Sequence, residues 1–248
     1  MRFESKRVVV VGGGAGLGRA VARGFAREGA SVGVIGRTEA TLRETVGAIE
    51  ETKRAVAIGD VTDASSIGDA VGRVAGLLGG LDVAVNTAGV FTSGSPADAD
   101  PDEVARLFET NVLGTWLAMR AEVPLLRANG GGVVVNFSSN IGAHRVQPAM
   151  GAYGASKAAV SAMTRSAALD HIEHGVRICA ISPGPSDTTM SIRAGESPEE
   201  RDARVAKQNP AGRIGTLHEI TEATLYLASD AAAYCVGTDL VVDGGAAA

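Results

Sequence analysis

The chain has almost no cysteine. Its 248 residues hold Cys179 and Cys235, far apart and outside any C-x-x-C arrangement. That excludes a disulfide framework and fits a reducing, cytoplasmic setting. No stretch approaches the roughly 18 apolar residues of a membrane span, and the N-terminal M-R-F-E-S-K-R lacks the apolar core of a secretory leader. The formal net charge is −5, spread in short mixed clusters with no basic stripe, which argues against a nucleic-acid partner. Aromatic residues make up 4% against 45% hydrophobic, so the core must be packed from Val, Ala, Leu and Ile. No metal ligands are assigned. The expectation is a soluble protein without nucleic-acid or membrane partners.

Glycine, by contrast, is abundant, with 33 in the chain. Arg7 to Val11 (R-V-V-V-V) reads as a buried strand running into G-G-G-A-G-L-G, and Leu17, Val21 and Phe25 then recur at helical spacing. A strand, a glycine turn and a helix bring backbone N–H groups and a helix N-terminus to a place where a pyrophosphate can bind. G-x-G-x-x-G is not matched in any register. What stands is Gly12-x-x-x-Gly16-x-Gly18.

Strand-like and helix-like segments alternate throughout, which predicts a single α/β domain over residues 1–248. It would be a doubly wound, mostly parallel, seven-stranded Rossmann-like sheet with helices on both faces. Strands are expected at Arg7–Val11, Ser31–Ile35, Ala55–Ile58, Asp82–Asn86, Gly132–Phe137, Arg177–Ile181 and Asp239–Val242. Helices are expected near 17–28, 39–50, 64–78, 102–128, 152–173 and 217–228. The segment at about 188–212 breaks the alternation and reads either as a substrate lid or as a solvated excursion. Helix 152–173 carries small residues all round. A helix without a polar side is normally buried twice, so a homo-oligomer, dimer or tetramer, is expected.

Within that helix, Tyr153 and Lys157 stand four residues apart in Y-G-A-S-K and so share a face. A neighbouring ammonium favours the ionised phenol, which makes a tyrosine usable as an acid or base near neutral pH.

In order along the chain, the glycine turn, Asp60-Val61, N-T-A-G at 86–89, Asn111 in T-N-V-L-G, S-S-N-I-G at 138–142, Y-G-A-S-K, P-G-P-S-D-T at 183–188, G-R-I-G at 212–215 and V-D-G-G at 242–245 resemble the short-chain dehydrogenase/reductase family. The resemblance covers essentially the whole chain. It implies an NAD(P)-dependent oxidoreductase acting on a small-molecule carbonyl or secondary alcohol. Tyr153 would be its general acid/base, Lys157 would lower the tyrosine pKa and hold the nicotinamide ribose, and Ser139 would stabilise the substrate oxygen. Ser138 is the rival for the serine role, although neighbours on a strand face opposite ways. Asn111 would hold a proton-relaying water, or else bond locally.

For the cofactor, the resemblance implies Gly12, Gly14, Gly16, Leu17 and Gly18 around the pyrophosphate and Asp60 and Val61 at the adenine. Asn86, Ala88 and Gly89 would shape the adenosine side. Pro183, Gly184, Ser186 and Thr188 would hold the carboxamide, with Tyr153 and Lys157 also in contact. A substrate pocket is expected from Asn140, His144, Gln147, Met150, Ser186 and Met190. Val11, Thr87 and Cys179 depart from the commoner family residues. A 3-oxoacyl carrier-protein reductase activity and a non-catalytic dinucleotide-binding scaffold are the alternatives.

Cofactor preference is read at the end of the second strand. An NAD site usually places an acid there, whereas this chain has Gly36, then Arg37 and Thr38. Gly36 leaves room for a 2′-phosphate, and Arg37 can pair with it through a bidentate fork. NADP(H) is the expected preference, with NAD(H) possible.

Overall fold

The computed structural model describes residues 1–49 and 53–248. Seven strands, β1 (Arg7–Val11), β2 (Ser31–Gly36), β3 (Arg54–Ile58), β4 (Val83–Asn86), β5 (Gly132–Phe137), β6 (Val176–Pro183) and β7 (Asp239–Val242), form one sheet in the order β3-β2-β1-β4-β5-β6-β7. Every pairing is parallel. The seven-stranded Rossmann-like sheet read from the sequence is therefore present. The end of the helix expected near 39–50 lies outside the described residues; the helix seen there, α2, spans Glu39–Gly47.

Strand periodicity divides the core in two. Val8 and Val10 of β1, Val32 and Val34 of β2, and Val133 and Val135 of β5 face one side. There they meet Val21 and Phe25 of α1 (Gly16–Arg27). Val9, Val11, Ala84, Val134 and Ile178 face the other side. They pack on Ile67, Val71 and Val74 of α3 (Ala64–Leu78) and on Leu117 and Val123 of the helix at Gly114–Ala128. Burying each such valine stabilises the fold by roughly 1.5–3 kcal/mol. Small β-branched side chains thus supply the core that the few aromatics cannot.

Two segments differ from the expectation. The helix expected at 102–128 is α4 (Pro101–Phe108), a π-helical stretch at Glu109–Leu113, and α5 (Gly114–Ala128). The 188–212 segment contains a helix, α7 (Pro198–Gln208), which starts in a full capping box between Ser197 and Glu200. The remaining helices are α6 (Gly151–His171) and α8 (Leu217–Ala228). Among the described residues, no helix is long and apolar enough to cross a membrane.

β1 lies between β2 and β4, so the chain leaves its C-terminal end in one direction and the end of β4 in the other. Open α/β sheets bind ligands at such a switch point.

Candidate active site

A cleft of about 1110 Å³ opens at this switch point and runs from the β1 turn to the start of α6. Gly12 turns the chain out of β1 at φ +84°, and Gly16 has φ +48°. A Cβ on Gly12 would lie 2.6 Å from the Ala88 nitrogen, and one on Gly18 would lie 2.3 Å from the Gly12 carbonyl oxygen. Both contacts are with backbone, so only glycine fits. Ala15 caps α1 with no side-chain hydrogen bond, leaving the first N–H groups of a 12-residue helix directed at the cleft. This cradle fits a dinucleotide pyrophosphate. Leu17 and Gly14 line it, and Thr188 faces Gly16 from across the cleft, its methyl 3.5 Å from where a Cβ would stand.

Thr87 completes the turn, donating its hydroxyl to the Val11 carbonyl at 2.8 Å. In the sequence Thr87 stands out only as a departure from the commoner family residue. It ties β4 to β1 beside the glycines and lines the cleft.

At the opposite end α6 presents Tyr153 and Lys157, both buried. Burial pushes the Tyr153 phenol above its usual pKa, and the neighbouring Ser139 hydroxyl pulls it part of the way back. Burial wins here, and the lowering expected from Lys157 is not what sets this pKa in the protein alone. The ammonium itself is destabilised, its pKa lowered to about 8 by burial, and it donates to the Phe137 carbonyl at 2.9 Å. Ser138 is turned away from the cleft: its hydroxyl donates to the Lys157 carbonyl at 2.8 Å and pairs with Ser161. Ser139 faces Tyr153. The side chains alternate as the strand geometry requires.

Phe91, which is not among the residues expected from the sequence, packs edge-on against Tyr153 with ring centroids 5.1 Å apart. Its only sequence signal is its place two residues after N-T-A-G.

Asn111 sits in the π-helical stretch, fully buried. Its amide oxygen accepts from Val90 N at 2.8 Å, and its amide nitrogen donates to Val90 O at 2.9 Å and to Ser156 Oγ at 3.1 Å. The side chain is therefore engaged locally. A Cβ on Gly89 would stand 3.2 Å from Asn111 Oδ1 and 3.4 Å from Lys157 Nζ, so Gly89 keeps the space between them open.

Arg37 and Thr38 are exposed at the far end of the cleft, with Asp60 and Val61 beside them. Asp60 Oδ1 accepts from the Thr62 nitrogen and hydroxyl at 3.0 and 2.9 Å. Ala88, Pro183, Gly184, Ser186 and Thr188 all line the cleft.

Two expected residues are placed elsewhere. Asn86 points into the sheet, donating to Glu122 and Asn136 at 3.0 Å each, because side chains alternate and Thr87 takes the cleft side. His144 leaves the pocket for Asp239, at 2.9 Å from Nε2 to Oδ2. Asn140, Gln147, Met150, Ser186 and Met190 do line the pocket.

The family model described as enoyl-(acyl carrier protein) reductase matches residues 12–247. A 2-(S)-hydroxypropyl-CoM dehydrogenase of Xanthobacter autotrophicus is 38% identical, over 98% of this chain and 97% of its own length. A cis-4-hydroxycyclohexanecarboxylate dehydrogenase of Sinomonas cyclohexanicum is 36% identical, over 98% and 97%. The solved structure of a short-chain dehydrogenase/reductase from Serratia marcescens superposes with a TM-score of 0.92 at 29% identity, covering 100% of both chains.

Proposed function

The chain belongs to the short-chain dehydrogenase/reductase family, whose members act on CH–OH groups with a nicotinamide cofactor, and on that premise we propose that it interconverts a secondary alcohol and a ketone through Tyr153. The observation that carries this reading is Tyr153 buried beside Ser139 in the same cleft that holds the glycine cradle and the uncapped start of α1. The cofactor supplies or accepts the hydride. The chain's own work is the proton and the alignment.

In the reducing direction the Tyr153 hydroxyl gives its proton to the carbonyl oxygen, and in the oxidising direction the phenolate takes it from the alcohol. Ser139 donates to that oxygen as charge develops on it, an oxyanion-type contribution. Lys157, on the same helix face as Tyr153, would hold the nicotinamide ribose and supply positive charge that favours the ionised phenol. Asn111, with its side chain committed to Val90 and Ser156, holds a relaying water through its remaining acceptor capacity and so links Lys157 to solvent. Gly12, Gly14, Gly16, Leu17 and Gly18 would hold the pyrophosphate, Asp60 and Val61 the adenine, and Ala88 and Gly89 the adenosine side. Pro183, Gly184, Ser186 and Thr188 would hold the carboxamide.

Gly36, Arg37 and Thr38 favour NADP(H) over NAD(H). The 188–212 segment acts as a lid, with Met190 and Val205 turned to the cleft. The protein works as a homo-oligomer in the cytoplasm.

The test is hydride transfer, followed by cofactor absorbance, on a panel of ketones and secondary alcohols with both cofactors. Turnover of at least one pair is expected. A protein that binds the dinucleotide and reacts with no member of a broad panel would be a binding module, and the reading would fail.

A further inference from the structure

The protein carries a formal net charge of −5, yet the cleft around Tyr153 is cationic. Arg145, Lys157, Arg193 and Arg204 line this half, and Asp60, at the adenosine end, is the one acidic residue lining the cleft among the described residues. Not all of these charges are available. Arg204 is neutralised by Glu196 at 2.6 Å and also donates to the Ser191 carbonyl. Lys157 is buried, donates to the Phe137 carbonyl and is the residue proposed to hold the cofactor ribose, so it is not the free receptor for a substrate anion. Deeper in the same segment Arg201 is spent on Asp187 and Asp202, at 2.9 and 2.8 Å. The guanidinium of Arg145 is different: half-buried and lining the cleft, it pairs with no carboxylate among the described residues.

Its placement is held by the backbone. The Gly142 nitrogen donates to the Arg145 carbonyl at 2.8 Å, and Ile141 and Arg145 form a parallel bridge. Arg145 is thereby fixed beside Ile141, two residues beyond Ser139. The neighbouring His144 turns the other way, to Asp239. Asp239 is itself anchored by the hydroxyls of Ser161 at 2.5 Å and Ser182 at 2.6 Å. His144 thus pins the loop on its inner side while Arg145 is presented to the cleft. Arg193, exposed in the facing segment, also lines the cleft.

A guanidinium that is partly desolvated, unpaired and aimed into a concave site is a receptor for an anion. We propose that the substrate is an anionic alcohol or ketone, with a carboxylate or sulfonate recognised by Arg145 and covered by Arg193. The proposal rests on the oxidoreductase reading above and adds the substrate's chemical class. No covalent step is involved, because the anion only orients the reacting carbon toward Tyr153.

The experiment compares 3-oxobutanoate, 4-oxopentanoate and 5-oxohexanoate with their carboxamides as substrates for the wild type, Arg145→Gln, Arg145→Lys and Arg193→Gln. The quantity read is the ratio of kcat/KM for acid over amide. In the wild type the ratio exceeds about 10 at the chain length that spans the site, and Arg145→Gln lowers it roughly 10- to 100-fold, mostly through KM, as loss of a charge-assisted pair requires. Arg145→Lys retains charge without the fork and falls between. Arg193→Gln lowers the ratio less. A wild type that shows no preference for the acid, or a ratio unchanged in Arg145→Gln, overturns the proposal and leaves the oxidoreductase reading standing. If neither acids nor amides react, the oxidoreductase reading is judged on the broad panel above. Calorimetric titration of 5-oxohexanoate then decides the present one: binding that Arg145→Gln abolishes supports it, and equal or absent binding in both proteins overturns it.

Discussion

Lys157 Nζ donates a 2.9 Å hydrogen bond to the carbonyl of Phe137, the last residue of β5. The bond fixes the ammonium at the cleft floor, while burial lowers its pKa to about 8. A depressed amine is protonated below that value and neutral above it. Any ligand that uses the ammonium should therefore bind less tightly as pH rises through about 8. Calorimetric Kd values for NADPH between about pH 7 and pH 9.5 should weaken in the wild type. Lys157→Met should bind less tightly at the low end and show a flatter profile. A wild-type profile parallel to that of the variant would remove Lys157 from the cofactor site.

Ser139 and Ser138 separate by pH profile. Tyr153 is pushed up by burial and pulled down by Ser139, so Ser139→Ala should move the phenol further up. In alcohol oxidation the rate rises as the phenol ionises, and the rising limb should shift to higher pH in Ser139→Ala. Ser138→Ala should leave the limb in place and lower thermal stability instead, because its hydroxyl serves Lys157 O and Ser161. Tyr153→Phe should cost on the order of 10²–10⁴-fold in kcat or more, with cofactor binding nearly intact. An unshifted limb in Ser139→Ala would argue against its contact with the tyrosine.

Much of this site is legible in the sequence because its parts are local. Val8 to Val11 alternate between the two faces of the sheet, and Tyr153 and Lys157 need only one helical turn to meet. The π-helical stretch at Asn111 is not legible: widening a single turn leaves the apolar spacing of residues 102–128 almost unchanged. Helix α7 escapes for another reason. It buries only Arg201 and Val205, so it has no apolar stripe, and its one signal is Ser197 three residues before Glu200. His144 and Asn86 depend on partners 95 and 36 residues away, at Asp239 and Glu122. No short pattern records such distances.

Glu122 has a consequence for stability. Its carboxyl is fully buried beneath the sheet, accepts from Asn86 Nδ2, and has its pKa pushed up to about 7 by burial, against a smaller opposing pull from Asn86. A folded-state pKa above the ordinary value of 4.5 means the native state holds the proton more tightly than the unfolded chain. The stabilisation is complete below about pH 4.5 and is lost as pH rises through about 7. Glu122→Gln keeps the shape without the charge. Its stability relative to wild type should rise between about pH 5 and pH 8, by something on the order of 1–3 kcal/mol. Urea midpoints measured at both values read this, and a difference independent of pH would show that Glu122 does not titrate in this window.

The proposed homo-oligomer can be tested at apolar residues that a single copy leaves exposed. Leu113, Trp116 and Leu169 are 45%, 52% and 74% exposed, on the π-helical stretch, α5 and α6. Sedimentation at micromolar concentration should show a dimer or tetramer, and Trp116→Glu should shift it toward monomer. A wild type that sediments as a monomer would leave these residues without a partner.

The proposed preference for NADP(H) can be tested at Gly36. It does not have a positive φ, so its backbone accepts a side chain, and an added Cβ would meet only Leu42, at 3.4 Å from Cδ2. Asp fits there sterically. In the wild type the open position leaves room for a 2′-phosphate beside Arg37, whose exposed guanidinium can pair with it. Gly36→Asp sets a carboxylate against that phosphate while offering hydrogen bonds to the ribose hydroxyls of NADH. Apposed like charges cost several kcal/mol. The ratio of kcat/KM for NADPH over NADH should therefore fall by roughly 10²-fold or more in Gly36→Asp, from a wild-type value above one. Arg37→Gln should lower the same ratio by weakening NADPH alone. A wild type that favours NADH, or a ratio that Gly36→Asp leaves in place, would mean that another part of the cleft selects the cofactor.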